Sequence, residues 1–362
     1  MINNGPGHAV IASVASAFPD VSYSQDEVGA LLGLDNPVAR KLLAAPHIRS
    51  RRLFLPPADP VTGRVPDESP AELHAKFRRG ALEIGGRAIA SSLKAAALTP
   101  SDVGYLLCVT STGFLVPGLS SLFSRELGFH PALLRADVVG MGCNAGLNGM
   151  NPLVQWVRNH PGRVALLVCC EINSAMYVRD ESARTGMVNS LFGDGAAAAV
   201  VTSEASGIRP YVRDFESFCM PDRWDAMRFD WNDDVGKWSF HLDRDIPYVI
   251  GDNVSKPVGR LLERNGLRPE SISHWVLHTG GGAVIDGARR SLGLTEHAVR
   301  HTRSVLRDFG NISSGSFLVS LERLLDEGSA RPGEHGVMIT MGPGAQIEAA
   351  LIEFAAGREA QP

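Results

Sequence analysis

Apolar positions along this chain follow two rhythms. Short continuous apolar runs alternate with longer stretches in which apolar residues recur every three or four positions. The first rhythm predicts strands covered on both faces, and the second predicts amphipathic helices. His8 to Ala17 (HAVIASVASA) reads as a short buried strand. Residues 25–45 carry helical spacing that starts at Ser24 or Gln25, and residues 71–97 carry it again. Between them, Leu55 to Pro70 is rich in Pro, Asp and Gly and reads as a loop, because proline removes a donor and fixes the backbone. Tyr105 to Gly113 is an apolar run ending in small polar residues. A helix over 118–127, a strand at Ala136–Val139, a helix over 145–159 and strands near 163–169 and 196–201 follow.

The later part of the chain repeats that order. Trp275 to Gly280 is again an apolar strand ending in small polar residues. A helix over 283–292, the stretch His301 to Arg307, a helix over 313–326 and strands at Gly336–Thr340 and Gln346–Ile352 complete it. Ser111 to Cys143 spans 32 positions and His278 to Asn311 spans 33, so the two halves keep similar spacing. A duplicated α/β unit explains this, with halves at residues 1–205 and 206–362. In such sheets ligands collect beyond the carboxyl ends of strands, where Cys143, His278 and Asn311 all fall.

Composition adds mostly exclusions. The chain of 362 residues is 44% hydrophobic with net charge −4, enough for a large core and no basic stripe for nucleic acid. No run of ~18 apolar residues predicts a membrane span, and no secretion signal is evident, so a soluble cytoplasmic protein is expected. The five cysteines (108, 143, 169, 170 and 219) are odd in number and lack Cys-x-x-Cys spacing, which predicts free thiols. Neither a metal-ligand spacing nor a nucleotide-binding glycine motif occurs, so no metal or cofactor is expected.

Three residues carry candidate chemistry. Cys143 sits between Gly142 and Gly146 in a strand-to-helix turn, where a helix N-terminus favours a thiolate. The turn alone leaves a structural cysteine equally open. His278 ends a strand before Thr279-Gly280-Gly281-Gly282, and Asn311 is also a good helix N-cap. Each has a structural reading by itself. Together they form a nucleophile, a proton acceptor and a second hydrogen-bond donor, the minimum for thioester chemistry with an oxyanion or enolate to stabilise.

Five ordered motifs then resemble one family over nearly the whole chain. They are Gly142-Cys143-Asn144-Ala145-Gly146, Leu191 to Ala197, His278 to Gly282, Gly310-Asn311-Ile312-Ser313-Ser314 and Gly342-Pro343-Gly344. They are similar to the thiolase superfamily, and within it to type III polyketide synthases. Arg51 to Pro57, Cys108 to Leu115, Gly140 to Asn148 and Asp225 to Trp231 are similar to a bacterial branch that serves antibiotic biosynthesis and uses malonyl-CoA alone. Gly281-Gly282-Ala283 departs from that branch, which leaves the product open.

The resemblance implies a thiolase-like duplicated five-layer αβαβα fold and a homodimer. It implies that Cys143 carries the acyl chain while His278 and Asn311 hold malonyl-CoA for decarboxylation, with His278 favouring the thiolate. It implies a substrate pocket with Ser111, Thr112, Glu171 and Tyr177, with Phe240 as a gate between CoA tunnel and cavity. Val116 would reach into the partner's cavity, and Arg49, Arg51 and Arg52 would meet CoA phosphates. Helper enzymes for aromatisation fit the same picture. Phe240 also reads as a core aromatic, Glu171 as a plain strand-end carboxylate and the arginines as surface charges. Other readings are a type III synthase with another starter or ring closure (alkylresorcinol, pyrone or dihydroxybenzoyl product), a ketoacyl synthase III-like enzyme, or a silent scaffold. The scaffold should lack one of Cys143, His278 and Asn311, and this chain has all three.

Overall fold

The computed structural model describes residues 7–180 and 182–357. Nine strands form one mixed sheet: β1 (Val10–Ala17), β2 (Val103–Thr110), β3 (Leu134–Val139), β4 (Val164–Glu171), β5 (Gly195–Thr202), β6 (Ile208–Cys219), β7 (Ile272–Leu277), β8 (His335–Gly342) and β9 (Gln346–Ala356). The order is β7-β8-β9-β6-β1-β5-β4-β2-β3. A single residue pair, Val10 with Tyr211, joins β1 to β6. Outward from that seam one side reads β1-β5-β4-β2 and the other β6-β9-β8-β7, which is the same sequence of roles. Only β3 lacks a counterpart. Its place in the second half is taken by the helix Arg300–Phe309, so His301 to Arg307 is helical.

The seam lets the two half-sheets face each other across a pair of helices, α1 (Ala145–Asn159) and α2 (Ser316–Glu327). Both touch strands of both half-sheets. The central core is built from Leu147, Met150, Val154, Phe317, Leu318 and Leu321, packed on strand residues such as Leu107, Leu167 and Met338. Helices Gly86–Ala95 and Leu119–Leu127 cover the outside of the first half-sheet, and Ser255–Arg264 covers the second. The result is five layers, α-β-α-β-α, the thiolase-like arrangement.

Two helical stretches are interrupted for local reasons. The 25–45 stretch is two helices, Gln25–Leu32 and Pro37–Leu43. Gly33 closes the first in the left-handed region at φ 65°, and Asn36 caps the second ahead of Pro37. The 71–97 stretch runs Pro70–Gly80, a π-helical turn Ala81–Gly85, then Gly86–Ala95.

Candidate active site

Cys143 stands at the mouth of α1. Strand β3 ends, the chain makes a 3-10 turn over Gly142–Asn144, and α1 begins at Ala145. Gly142 has φ 71°, and a Cβ there would lie 2.4 Å from the Pro343 ring. Only glycine meets both demands. His278 directly follows β7, and its backbone N–H donates to Ile339 O at 2.9 Å. Asn311 is fixed on both sides: its N–H donates to Leu191 O at 3.0 Å, and its Oδ1 accepts from Ser313 N–H at 2.8 Å. The latter bond leaves Nδ2 as the donor of the side chain, and the Asn311 side chain is a hydrogen-bond partner of Cys143.

The three side chains, far apart in sequence, line one cavity of ≈ 380 Å³. Cys143 is 8% exposed, and His278 and Asn311 are each 2%. Cys143 Sγ lies 3.5 Å from Ser313 Oγ. A smaller chamber of ≈ 40 Å³ adjoins it on the other side of Cys143 and contains Ser111, Thr112, Asn173, Met176, Val188 and Ser313 in its wall. Phe240 and Phe192 border both chambers, with their rings edge-to-face at 5.8 Å. Phe229 faces Phe240 across the hairpin Met227–Asn232 and Lys237–Leu242 and also borders a third cavity of ≈ 660 Å³, which runs to Phe114, Trp231 and Trp238.

Burial controls the resting charge. Desolvation pushes the Cys143 thiol up to about 12, although the Ser313 hydroxyl pulls the other way. The same cause pushes His278 down to about 3. Burial thus works against the charged form of both groups, opposite to the helix-terminus effect that favours a thiolate. The other cysteines 108, 169 and 170 are buried and Cys219 is exposed, and all five are free thiols.

Several expected site residues are elsewhere. Arg51 is fully buried and cannot meet CoA: it donates to Gln25 Oε1 (2.8 Å), Tyr177 Oη (3.1 Å), Asn189 O (2.5 Å) and Phe192 O (2.9 Å). Arg52 is turned away and donates to the carbonyls of Pro19 and Asp20. Arg49 is exposed, one position past Ile48 of the cavity wall. The cations on the rim of the ≈ 380 Å³ cavity are Lys41 and Arg244, which the motif comparison passed over. Tyr177 lines the ≈ 660 Å³ cavity together with Ser111 and Thr112, not the chamber next to Cys143. Its hydroxyl donates to Phe192 O at 2.6 Å.

Glu171 lies behind the pocket wall and lines none of these cavities. It accepts from Ser111 N–H (2.9 Å), Thr112 Oγ1 (2.9 Å) and Ser314 Oγ (2.6 Å), so it holds the wall in place. Burial raises its carboxyl pKa, and the Ser314 and Ser111 bonds oppose that. Val116 is 83% exposed next to Pro117, well placed to meet another surface. Ser313 and Phe192 were missed because their sequence neighbourhood reads as helix cap and strand end. The chemistry available is acyl transfer to a buried thiol, with two hydrogen-bond donors facing the same space. Among the described residues no group of three or more His, Cys, Asp or Glu could hold a metal ion. No helix of the described residues is long and apolar enough to cross a membrane.

Comparison with known proteins agrees with this geometry. Residues 73–205 match the model of chalcone and stilbene synthases, N-terminal domain, and residues 233–355 the corresponding C-terminal domain. The chain is 49% identical over 344 residues to a 3,5-dihydroxyphenylacetyl-CoA synthase of Amycolatopsis balhimycina, covering 95% of this chain and 92% of that one. It is 47% identical over 355 residues to one from Streptomyces toyocaensis, covering 96% and 91%. The crystal structure of PKS-I from the brown alga Ectocarpus siliculosus superposes with a TM-score of 0.88 at 26% identity, covering 97% of this chain and 99% of that one.

Proposed function

Because the chain belongs to the chalcone and stilbene synthase family and is a type III polyketide synthase, we propose that it builds 3,5-dihydroxyphenylacetyl-CoA from malonyl-CoA alone, with Cys143 as the acyl carrier. The observation that carries this reading is the meeting of Cys143, His278 and Asn311 on one cavity wall. Near-half identity over almost full length to two synthases of that product supports the product itself.

The chemistry proceeds as follows. Cys143 Sγ attacks a CoA thioester carbonyl, the carbonyl–sulfur bond to CoA breaks, and CoA leaves as a thiol with the cysteine proton. The next malonyl-CoA places its thioester carbonyl against His278 and Asn311. Its terminal carboxylate leaves as CO2, and the electron pair moves onto the carbonyl oxygen, where two hydrogen bonds in a dry pocket stabilise the charge. The enolate carbon attacks the Cys143 thioester, a carbon–carbon bond forms, and Sγ is released. The chain, now two carbons longer and on CoA, returns to Cys143. The product has eight acyl carbons, so four malonyl units supply it: three lose CO2 as they extend the chain, and the starter unit's carboxylate also leaves as CO2. No cofactor beyond the CoA-linked substrate is needed.

Phe240 and Phe192 divide the CoA side from the ≈ 40 Å³ chamber, which suits Phe240 as the gate. Lys41, Arg244 and the nearby Arg49 are suited to CoA phosphates. Exposed Val116, with Phe114 and Val139 close to the edge strand β3, fits a dimer in which Val116 completes the partner's cavity. Whether ring closure is finished by helper enzymes is decided by the same experiment. Purified protein is incubated with malonyl-CoA alone, and the products are identified by mass and ring substitution. 3,5-Dihydroxyphenylacetyl-CoA, or its uncyclised precursor awaiting a helper, is expected. A pyrone, a resorcinol or a naphthalene as sole product refutes the product assignment.

A further inference from the structure

The ≈ 660 Å³ cavity has one wall on the helix Pro70–Gly80, through Leu73, His74 and Phe77, and another on the hairpin Met227–Asn232 and Lys237–Leu242. The two hairpin strands pair only with each other, so the nine-stranded sheet does not fix them. In their register Phe229 stands opposite Phe240 and Trp231 opposite Trp238. Side chains alternate between faces along a strand, so these four rings share one face. Phe229, Trp231 and Trp238 present it to the cavity.

Lys237 stands at the hairpin tip, directly after Gly236, and lines the same cavity. Its side chain is 6% exposed, and its Nζ donates to both carboxylate oxygens of Asp67, at 2.8 and 2.9 Å. Asp67 is itself firmly held. The next residue, Glu68, pairs with the buried Lys76 of the helix, and Ser69 caps that helix in a reciprocal box with Glu72. Two consecutive acids thus take one buried lysine from each wall. A cation on an aromatic wall costs desolvation, and an apolar side chain of the same length would fill the place without that cost. Such a pair adds little to stability, but it fixes where the hairpin tip stands.

We propose that Asp67 and Lys237 form a latch that sets how far the aromatic hairpin stands from the helix Pro70–Gly80, which makes them specificity-determining residues for polyketide length. The assignment rests on the condensing role proposed above and refines it. Ser111, Thr112, Met176 and Phe229 line both the ≈ 40 Å³ chamber beside Cys143 and the ≈ 660 Å³ cavity. A chain growing on Cys143 passes them to enter the larger space. With the latch closed the aromatic wall limits growth, and with it broken the hairpin tip retreats and a longer chain fits.

Full-length wild-type protein, Asp67→Asn and Lys237→Met are incubated with malonyl-CoA. Polyketides are sorted by chain length as fractions of total product, so a change in overall rate does not count. Both variants should raise the fraction longer than the wild-type product about fivefold, the worth of one charged pair discounted for the exposure of Asp67. An unchanged or shortened distribution overturns the proposal, and so does a change confined to one of the two variants. The reference is the wild type's own product, so the test holds whichever polyketide that is. Hydrogen–deuterium exchange over residues 227–242 needs no turnover. It should be faster in both variants, and equal exchange overturns the latch even in a protein that makes no polyketide.

Discussion

At the scale of single residues, burial decides which charges act on substrate and which act on the fold. Arg51 holds Gln25, Tyr177 and the carbonyls of Asn189 and Phe192, so its loss strands several buried polar groups. Arg51→Ala is expected to cost about 3 kcal/mol or more in denaturant unfolding, against about 0.5 kcal/mol for Arg49→Ala. If Arg51 met CoA instead, its loss would raise KM without lowering stability. His278 makes a pH prediction with a definite sign. Its folded-state pKa is lowered from 6.5 to about 3, so the unfolded chain binds the extra proton between those values. Stability from this site is present above pH 6.5 and is lost as pH falls toward 3. The drop in urea midpoint from pH 7 to pH 5 should therefore be smaller in His278→Gln than in wild type. Cys143 and His278 were legible in sequence because each follows a strand beside glycines, and Asn311 because it follows Gly310 as a candidate cap. Arg51 and Glu171 were not, because their partners Asn189 and Ser314 lie more than a hundred positions away in sequence.

At the scale of elements, short turns and one hairpin shape the cavity. Gly142→Ala would force a Cβ into Pro343 at a positive φ, costing about 1–3 kcal/mol and displacing Cys143. Condensation should fall with it, and circular-dichroism melting together with product formation checks both. The hairpin Met227–Asn232 and Lys237–Leu242 pairs Phe229 with Phe240, and the two rings, 4.9 Å apart, form a partition between chambers. Phe240→Ala should open it and move products toward longer or differently closed polyketides while malonyl decarboxylation continues. An unchanged product profile would remove Phe240 as the gate. This hairpin escaped the sequence reading because Arg228, Asp230 and Asn232 alternate with apolar residues in a stretch without a long apolar run. The broken 25–45 helix shows the opposite case, since Gly33 and Asn36-Pro37 were visible stop and start signals within a continuous helical rhythm. Most half-sheet strands, being apolar runs, were read nearly as they stand, but Ile208–Cys219 was not, because Arg209, Arg213, Asp214 and Glu216 break up its apolar positions.

At the scale of the molecule, the seam between β1 and β6 brings the two half-sheets around α1 and α2, so that Cys143 from one half meets His278 and Asn311 from the other. The similar spacings in the two halves made that encounter foreseeable, whereas the missing counterpart of β3 was not, because His301 to Arg307 is too short to set its own period. Edge strand β3 with Phe114, Val116 and Val139 exposed leaves an apolar rim. If the proposed dimer forms through this rim, light scattering should find a dimer for wild type and a monomer for Val116→Asp, and a wild-type monomer would contradict the partner-completed cavity. The most direct test of the whole account is acyl capture. Wild-type protein and Cys143→Ala are incubated with carbon-labelled malonyl-CoA, quenched and digested, and the peptide containing residue 143 is weighed. The account predicts a thioester-bound, malonyl-derived acyl chain on the wild-type peptide, release of labelled CO2, and no acyl chain on the variant. An unlabelled Cys143 peptide in wild-type protein that still releases polyketide would contradict it.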